Sequence, residues 1–351
     1  MRGRFLLPLL WLPGSVAFAN EGVTLVDFSS TGPTSGTGWS CTPTAGCTIS
    51  ASGSYALSTG FFLASSSPAF RIQVPGGRVS LNLNGHFIEN TDTGAALFAS
   101  DLSRLSVRNG FLSGGEVTLD VDGRSDCEVQ LESLDIQSSS FVAIYLLAGS
   151  ISELCSGTSC EAVLRMRKVF TSPTEGAALR VEGFGAASIQ DSHLAGAGVY
   201  AFDTAAVQAT AAQISSSWFA GNSGTGGLRI WADSANIQRN DVAGGGIHLS
   251  DLDSAFVRWN DVRGGAAGID AYNTRGVFVE NLVSDAITGF ALTDPGSLLL
   301  RNIAHNNTTG IAIGSPPGSE FRVRMVGNRF EQNTTPCTSC LSPFYGPTNR
   351  P

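Results

Sequence analysis

Between Phe256 and Leu298 the chain repeats itself. FVRWNDVRGGAAGIDAYNTRG is followed by VFVENLVSDAITGFALTDPGSL, and each copy carries an apolar pair, an Asn, a Gly-containing turn, a second apolar pair and an Asp or Asn turn. The same order precedes this stretch in ANIQRNDVAGGGIHLSDLDSA and follows it in LLLRNIAHNNTTGIAIGSPPG. A period of about 20–25 residues built from short apolar alternations is the mark of a solenoid, because one such unit can bury its apolar side chains only against its neighbours.

Composition agrees. Charged residues are 14%, Gly numbers 42, and 42% of residues are hydrophobic. A low-charge, Gly-rich, periodic chain suits many short strands joined by tight turns, and excludes a helical bundle or a disordered chain. From Cys47 the coils can be followed through VSLNLNGHFIEN, LSRLSVRNGFLSGG, CEVQLESLDIQ, VLRMRKVF, ASIQDSHLAG and AQISSSWFAG. One turn position recurs as Asn109, Ser192, Ser217, Asn240, Asn260, Asn281, Asn302 and Asn328. Asn there tolerates left-handed backbone angles, and stacked on the Asn of the next coil it can form a hydrogen-bond ladder. A second row, Asp203, Asp233, Asp251, Asn273 and Asp294, recurs at another turn. Turn formation explains these residues better than metal binding. The expected fold is all-β: a right-handed single-stranded parallel β-helix of about eleven coils, on the order of 50 Å long.

SGSYALS (Ser52–Ser58), NLNGHFI (Asn82–Ile88), SVRNGFLSGG (Ser106–Gly115) and the later GGIHLSD, GIDAYN and GIAIG resemble the bacterial secreted right-handed parallel β-helix repeat proteins of the pectin-lyase-like superfamily. The resemblance spans roughly Cys47 to Asn333. It implies the fold and no single activity, since that group holds lyases, hydrolases, epimerases and adhesins. The signatures of its pectinases and pectate lyases are missing, so it assigns no catalytic residue.

The termini read differently. Arg2 and Arg4, the apolar run Phe5–Leu12 and Ala17-Phe18-Ala19 make Met1–Ala19 a secretory signal peptide. The expected organisation is signal peptide 1–19, N-terminal arm or cap 20–46, β-helix 47–333 and C-terminal tail 334–351, in a secreted or periplasmic protein. No stretch is long enough for a membrane span. An oxidising compartment favours disulfides within the close pairs Cys41 with Cys47, Cys155 with Cys160 and Cys337 with Cys340, leaving Cys127 as a small buried hydrophobe. Neither metal nor cofactor is implied by the Cys and His spacing. A net charge of −8 disfavours nucleic acid as a partner. A monomer is expected.

Strict alternation sorts the strand after the Gly turn. LRVE sends Arg180 and Glu182 outward, VYAF Tyr200 and Phe202, LRIW Arg229 and Trp231, IHLS His248 and Ser250, and IDAY Asp270 and Tyr272. These form two columns with neighbours about 5 Å apart. Exposed rings match the apolar faces of sugars, guanidiniums grip uronate carboxylates, and a His beside an Asp can act as a base. The reading is a protein that binds, and can modify, a polysaccharide or cell-surface glycan. Arg180, Glu182, Tyr200, Phe202, Trp231 and Tyr272 would hold the chain. As a lyase or epimerase, Arg229 would neutralise the uronate and His248, oriented by Asp270, would take the α-proton. The alternative is a non-catalytic structural, adhesion or cell-envelope module, because outward rings and ion pairs also stabilise a sheet on their own. A rival, less concentrated face precedes the Asn ladder: Arg239, Trp259, Glu280 and Arg301.

Overall fold

The structure, a computed structural model, describes residues 22–29, 32–137, 140–148, 161–172, 176–196, 205–220, 227–293, 296–314 and 323–338. Among the described residues 35 strands join into one hydrogen-bonded system, a parallel β-solenoid of about ten turns, and no helix occurs. Each turn contributes a strand to three faces. Sheet 1 includes Ser234–Gln238, Ser254–Arg258 and Gly276–Val279. Sheet 2 includes Asp241–Ala243, Asp261–Arg263 and Leu282–Ser284. Sheet 3 includes Leu228–Trp231, Ile247–Ser250 and Ala267–Tyr272.

The apolar alternation read from the sequence is what fills the interior. Ile237, Val257, Phe278, Leu299 and Met325 stack in one inward column of sheet 1, and Val242, Val262, Val283, Ala304 and Phe330 in one of sheet 2. All are buried. The Gly at the start of the late sheet 3 strands has a steric reason. A Cβ added at Gly289 would stand 2.5 Å from the carbonyl oxygen of Gly310 in the next coil.

The corner between sheets 1 and 2 corrects one expectation. The left-handed residue is the one before each ladder position, not the Asn itself: Asp191, Ser216, Arg239, Trp259, Glu280 and Arg301 have φ between 49° and 57°. Asn109, with φ 59°, belongs to this left-handed column, and it is Gly110 that stands in register with the corner residue Leu134. The ladder therefore runs from Ser192 onward. Each Asn amide serves two coils. Asn281 Oδ1 accepts from the backbone N (3.1 Å) and the Nδ2 (2.9 Å) of Asn260. Its Nδ2 donates to Val257 O and to Asn302 Oδ1, both at 2.9 Å. Bulky residues at positive φ are strained, and this set of buried hydrogen bonds holds them there. At the corner after sheet 2, Asn307 and Asn333 form a second ladder that the sequence reading did not isolate.

At the N-terminal end Val23–Val26 adds a parallel rung to Gly53–Leu57. Thr34–Gly36, Trp39–Thr42 and Gly46–Ile49 form an antiparallel meander instead. Its last strand pairs in parallel with Phe70–Gln73, so the meander extends sheet 3 and leaves the three-residue strand Thr34–Gly36 at the edge, and a short edge strand offers little to pair with another chain. The disulfide Cys41–Cys47 ties directly opposite residues of that meander. Cys127 is a free, buried thiol, and burial pushes it up to about 12. Cys337 is disulfide-bonded; Cys340, its expected partner, lies outside the described residues, as do Cys155, Cys160 and Met1–Ala19. Thr335–Thr338 still pairs with Thr309–Ile313, so parallel stacking continues past Asn333.

Candidate functional site: the outer face of sheet 3

Backbone register brings most of the expected columns together. Arg180 is followed by Ala206, Arg229, His248 and Asp270 on successive coils. The parallel column runs through Gln208, Trp231, Ser250 and Tyr272. The rung expected to hold Tyr200 and Phe202 is thus occupied by Ala206 and Gln208. Tyr200 and Phe202 themselves lie outside the described residues. The difference matters, because a methyl group in place of a phenol leaves a hollow. A pocket of about 410 Å³ opens there, lined by Phe141, Arg180, Glu182, Ala206, Gln208, Arg229 and Trp231 among others. Its flanking Arg180 and Arg229 are two rungs apart, about 10 Å.

The wall at the N-terminal side is a fixed network. Glu182 accepts from Arg180 Nε and from the Tyr145 hydroxyl (3.4 Å), and Arg180 lies over the Tyr145 ring at 5.8 Å. Burial, then the Glu182 carboxylate, pushes the Tyr145 phenol above its ordinary range. Arg180 is therefore engaged by a carboxylate of its own strand. At the other side Arg229 lies over the Trp231 ring, with Cζ 5.3 Å from the centroid. Trp231 keeps 36% of its surface exposed and Tyr272 59%.

His248 and Asp270 are neighbours, with Nδ1 3.4 Å from Oδ2. The opposite nitrogen, Nε2, is 3.1 Å from the carbonyl oxygen of Gly245. A carbonyl can only accept, so Nε2 carries a proton. Nδ1 faces the carboxylate whether or not it is protonated. Neither nitrogen turns a lone pair toward the pocket, and a base needs one within reach of the proton it takes.

Three side chains escaped the sequence reading. Asp120 and Asp122 extend the columns on the N-terminal side, with Asp120 opposite Tyr145 and Asp122 opposite Leu147. Burial, then the neighbouring Asp122, pushes Asp120 up to about 6. The third is Tyr145. The alternation VTLDVDG contains the signal for the two carboxylates: both Asp fall on the outward phase of the strand.

The other candidate rows sort as structural. In the Asp row, Asp251 and Asn273 sit at left-handed angles, with Asn273 Nδ2 donating to Asp251 Oδ1 at 2.8 Å. The pairing of Trp231 with Ser250 puts Ala232, not Asp233, opposite Asp251. Asp203 and Asp294 lie outside the described residues. On the rival face Trp259 Nε1 donates to Glu280 at 2.6 Å, Glu280 pairs with Arg301 at 3.3 Å, and Arg239 and Arg258 both lie over the Trp259 ring. These partners satisfy one another along the corner. Sheet 2 carries a further aromatic column interrupted by Asp135, with Phe87, Phe111 and Phe170 exposed and the His193 ring centred 3.8 Å from that of Trp218 at a tilt of 30°. Burial holds His193 below the usual histidine range.

Compared with known proteins, the chain matches no protein-family model, no curated protein and no solved structure.

Proposed function

We propose that this is a secreted β-solenoid of the pectin-lyase-like kind that binds polysaccharide along the outer face of sheet 3. The observation that carries the reading is the hollow over Ala206, with an exposed indole and a guanidinium on one side and the Tyr145–Glu182–Arg180 network on the other. An indole face stacks on the C–H face of a pyranose, while Gln208 and Glu182 offer partners to ring hydroxyls. Tyr272, two rungs beyond Trp231, would extend the track. Titration with a panel of soluble polysaccharides tests this. Trp231→Ala is expected to weaken the best ligand by about tenfold or more, on the scale of one lost aromatic contact of roughly 1.5 kcal/mol. Unchanged affinity would remove the sheet 3 reading.

A second reading, binding without turnover in an adhesion or envelope module, is favoured by the two acceptors that face His248. Lyase or epimerase action with His248 as base requires that ring to leave Gly245 or Asp270. Polyuronate incubated with the protein separates the two: unsaturated product, lost in His248→Ala, supports eliminative chemistry, and stable binding without product supports the module.

A further inference from the structure

A second surface lies on another face and several coils earlier. Gly53–Leu57, Arg78–Asn82 and Arg104–Gly114 stack in register on sheet 1. Ser54, Ser80, Ser106 and Gln130 follow one another outward in a single column. Arg78 and Arg104 stand directly opposite each other in the column on one bank, and Arg108 stands on the other. Together these side chains line a shallow trough of about 570 Å³. Its floor is low because serine is short, and its rim is cationic.

Like charges directly opposite on paired strands destabilise a sheet. Arg104 is offset by Glu128 of the next rung, at 3.5 Å, and Glu128 is shared with Arg165. Arg78 and Arg108 have no carboxylate within ion-pair distance among the described residues. In a chain of net charge −8, Arg104 shares Glu128 and Arg108 stands in register with Glu132 without an ion pair, so the rim of the hydroxyl track stays cationic without full internal neutralisation. An anion lying between the banks would supply it.

We propose that this trough binds the anionic groups, sulfate esters or carboxylates, of a polysaccharide lying along the serine track. Guanidiniums on rungs about 5 Å apart match planar, bidentate recognition of such groups. The serine hydroxyls and Gln130 amide provide donors and acceptors for the sugar hydroxyls between them. No aromatic side chain lines the trough, so it has no platform for stacking bases. The acidic balance of the whole chain also repels a long duplex. The site does not rest on the sheet 3 reading.

The test uses the full chain with dextran sulfate, polygalacturonate, unmodified dextran and a DNA duplex as probes, titrated at low and high salt. At least one anionic glycan is expected to bind, plain dextran is not, and affinity should fall as salt rises. Which of dextran sulfate and polygalacturonate binds tighter identifies the anionic group. Arg78→Gln with Arg108→Gln should lower that affinity about tenfold or more at an unchanged melting temperature, since both side chains are exposed. Arg324→Gln with Arg329→Gln, an equal loss of exposed charge on late coils away from the trough, should leave it unaltered. The proposal is overturned if neither anionic glycan binds, if the Arg78→Gln, Arg108→Gln variant binds as the wild type does, if Arg324→Gln with Arg329→Gln lowers the affinity equally, or if duplex DNA binds as tightly as the glycans.

Discussion

Asn281 and Asp120 show how differently two outwardly similar polar residues serve this fold. Asn281 is buried, and its amide satisfies groups on the coils either side of it. Asn281→Ala leaves the backbone N and Nδ2 of Asn260 and the carbonyl of Val257 without these partners. Each buried group so orphaned costs about 1–3 kcal/mol, so a loss of roughly 3 kcal/mol or more is expected in denaturant melts. Amide exchange should rise first at Asn260. Ser in its place should restore part of the loss, as Ser217 Oγ accepts from the Ser192 backbone N in the same column. Asp120 lies on the outside and is strained electrically rather than sterically. Burial and Asp122 raise its carboxyl from 3.8 to about 6, so the folded state holds the proton more tightly than the unfolded chain does. Its contribution is fully present below 3.8 and is lost as pH rises through about 6. Asp120→Asn should therefore melt higher than the wild type at pH 7.5, with the gap closing as pH falls from about 6 toward 4. A gap independent of pH would assign the effect to packing.

Among the elements, the corner between sheets 1 and 2 changes chemistry along the solenoid. Gly110, Leu134 and Val169 occupy it first, then Ser192 and Ser217, then the Asn run from Asn240. Early strands such as Arg104–Gly114, Glu128–Gln137 and Val163–Thr171 pass through this corner unbroken, whereas in the late coils separate strands flank it. The left-handed residue is common to both versions, from Asn109 to Arg301. The corner shape is thus set by the backbone, and either an apolar stack or an amide ladder can fill it. The N-terminal meander is the other distinctive element. Reduction of Cys41–Cys47 opens a loop with a sequence separation of 6, worth about 2 kcal/mol on loop entropy. Because each coil touches only its neighbours, the loss should stay local. Exchange protection is expected to fall across Trp39–Ile49 while the coils around Asn260 keep theirs. A uniform loss throughout the chain would mean that the whole solenoid unfolds as one unit.

For the whole molecule, a solenoid turns sequence period into surface position: residues about twenty apart in the chain become neighbours one rung apart. Both candidate surfaces are built this way, the sheet 3 hollow from Tyr145 to Trp231 and the sheet 1 trough from Ser54 to Gln130. Period, apolar phase and the Asn positions are local properties, and they sufficed for the all-β parallel solenoid, its buried columns and most of the ladder. In the late coils, where Gly and Asn mark each corner, phase also placed Arg229, Trp231, His248, Asp270 and Tyr272 correctly. It failed where spacing was irregular. VYAF alternates as well as AAVQ does, and only the pairing of Leu179 with Ala205 decides that the second forms the rung beside Arg180. Alternation predicts which way a side chain points but not what stands on the rung above it, so it could not reveal that Glu182 holds Arg180, that Gly245 and Asp270 both face His248, or that three arginines border one serine track. By itself the sequence determined the coil and its inward face, because burial follows from local period. Which outward residues meet was decided by register between coils, which depends on the length of every intervening turn.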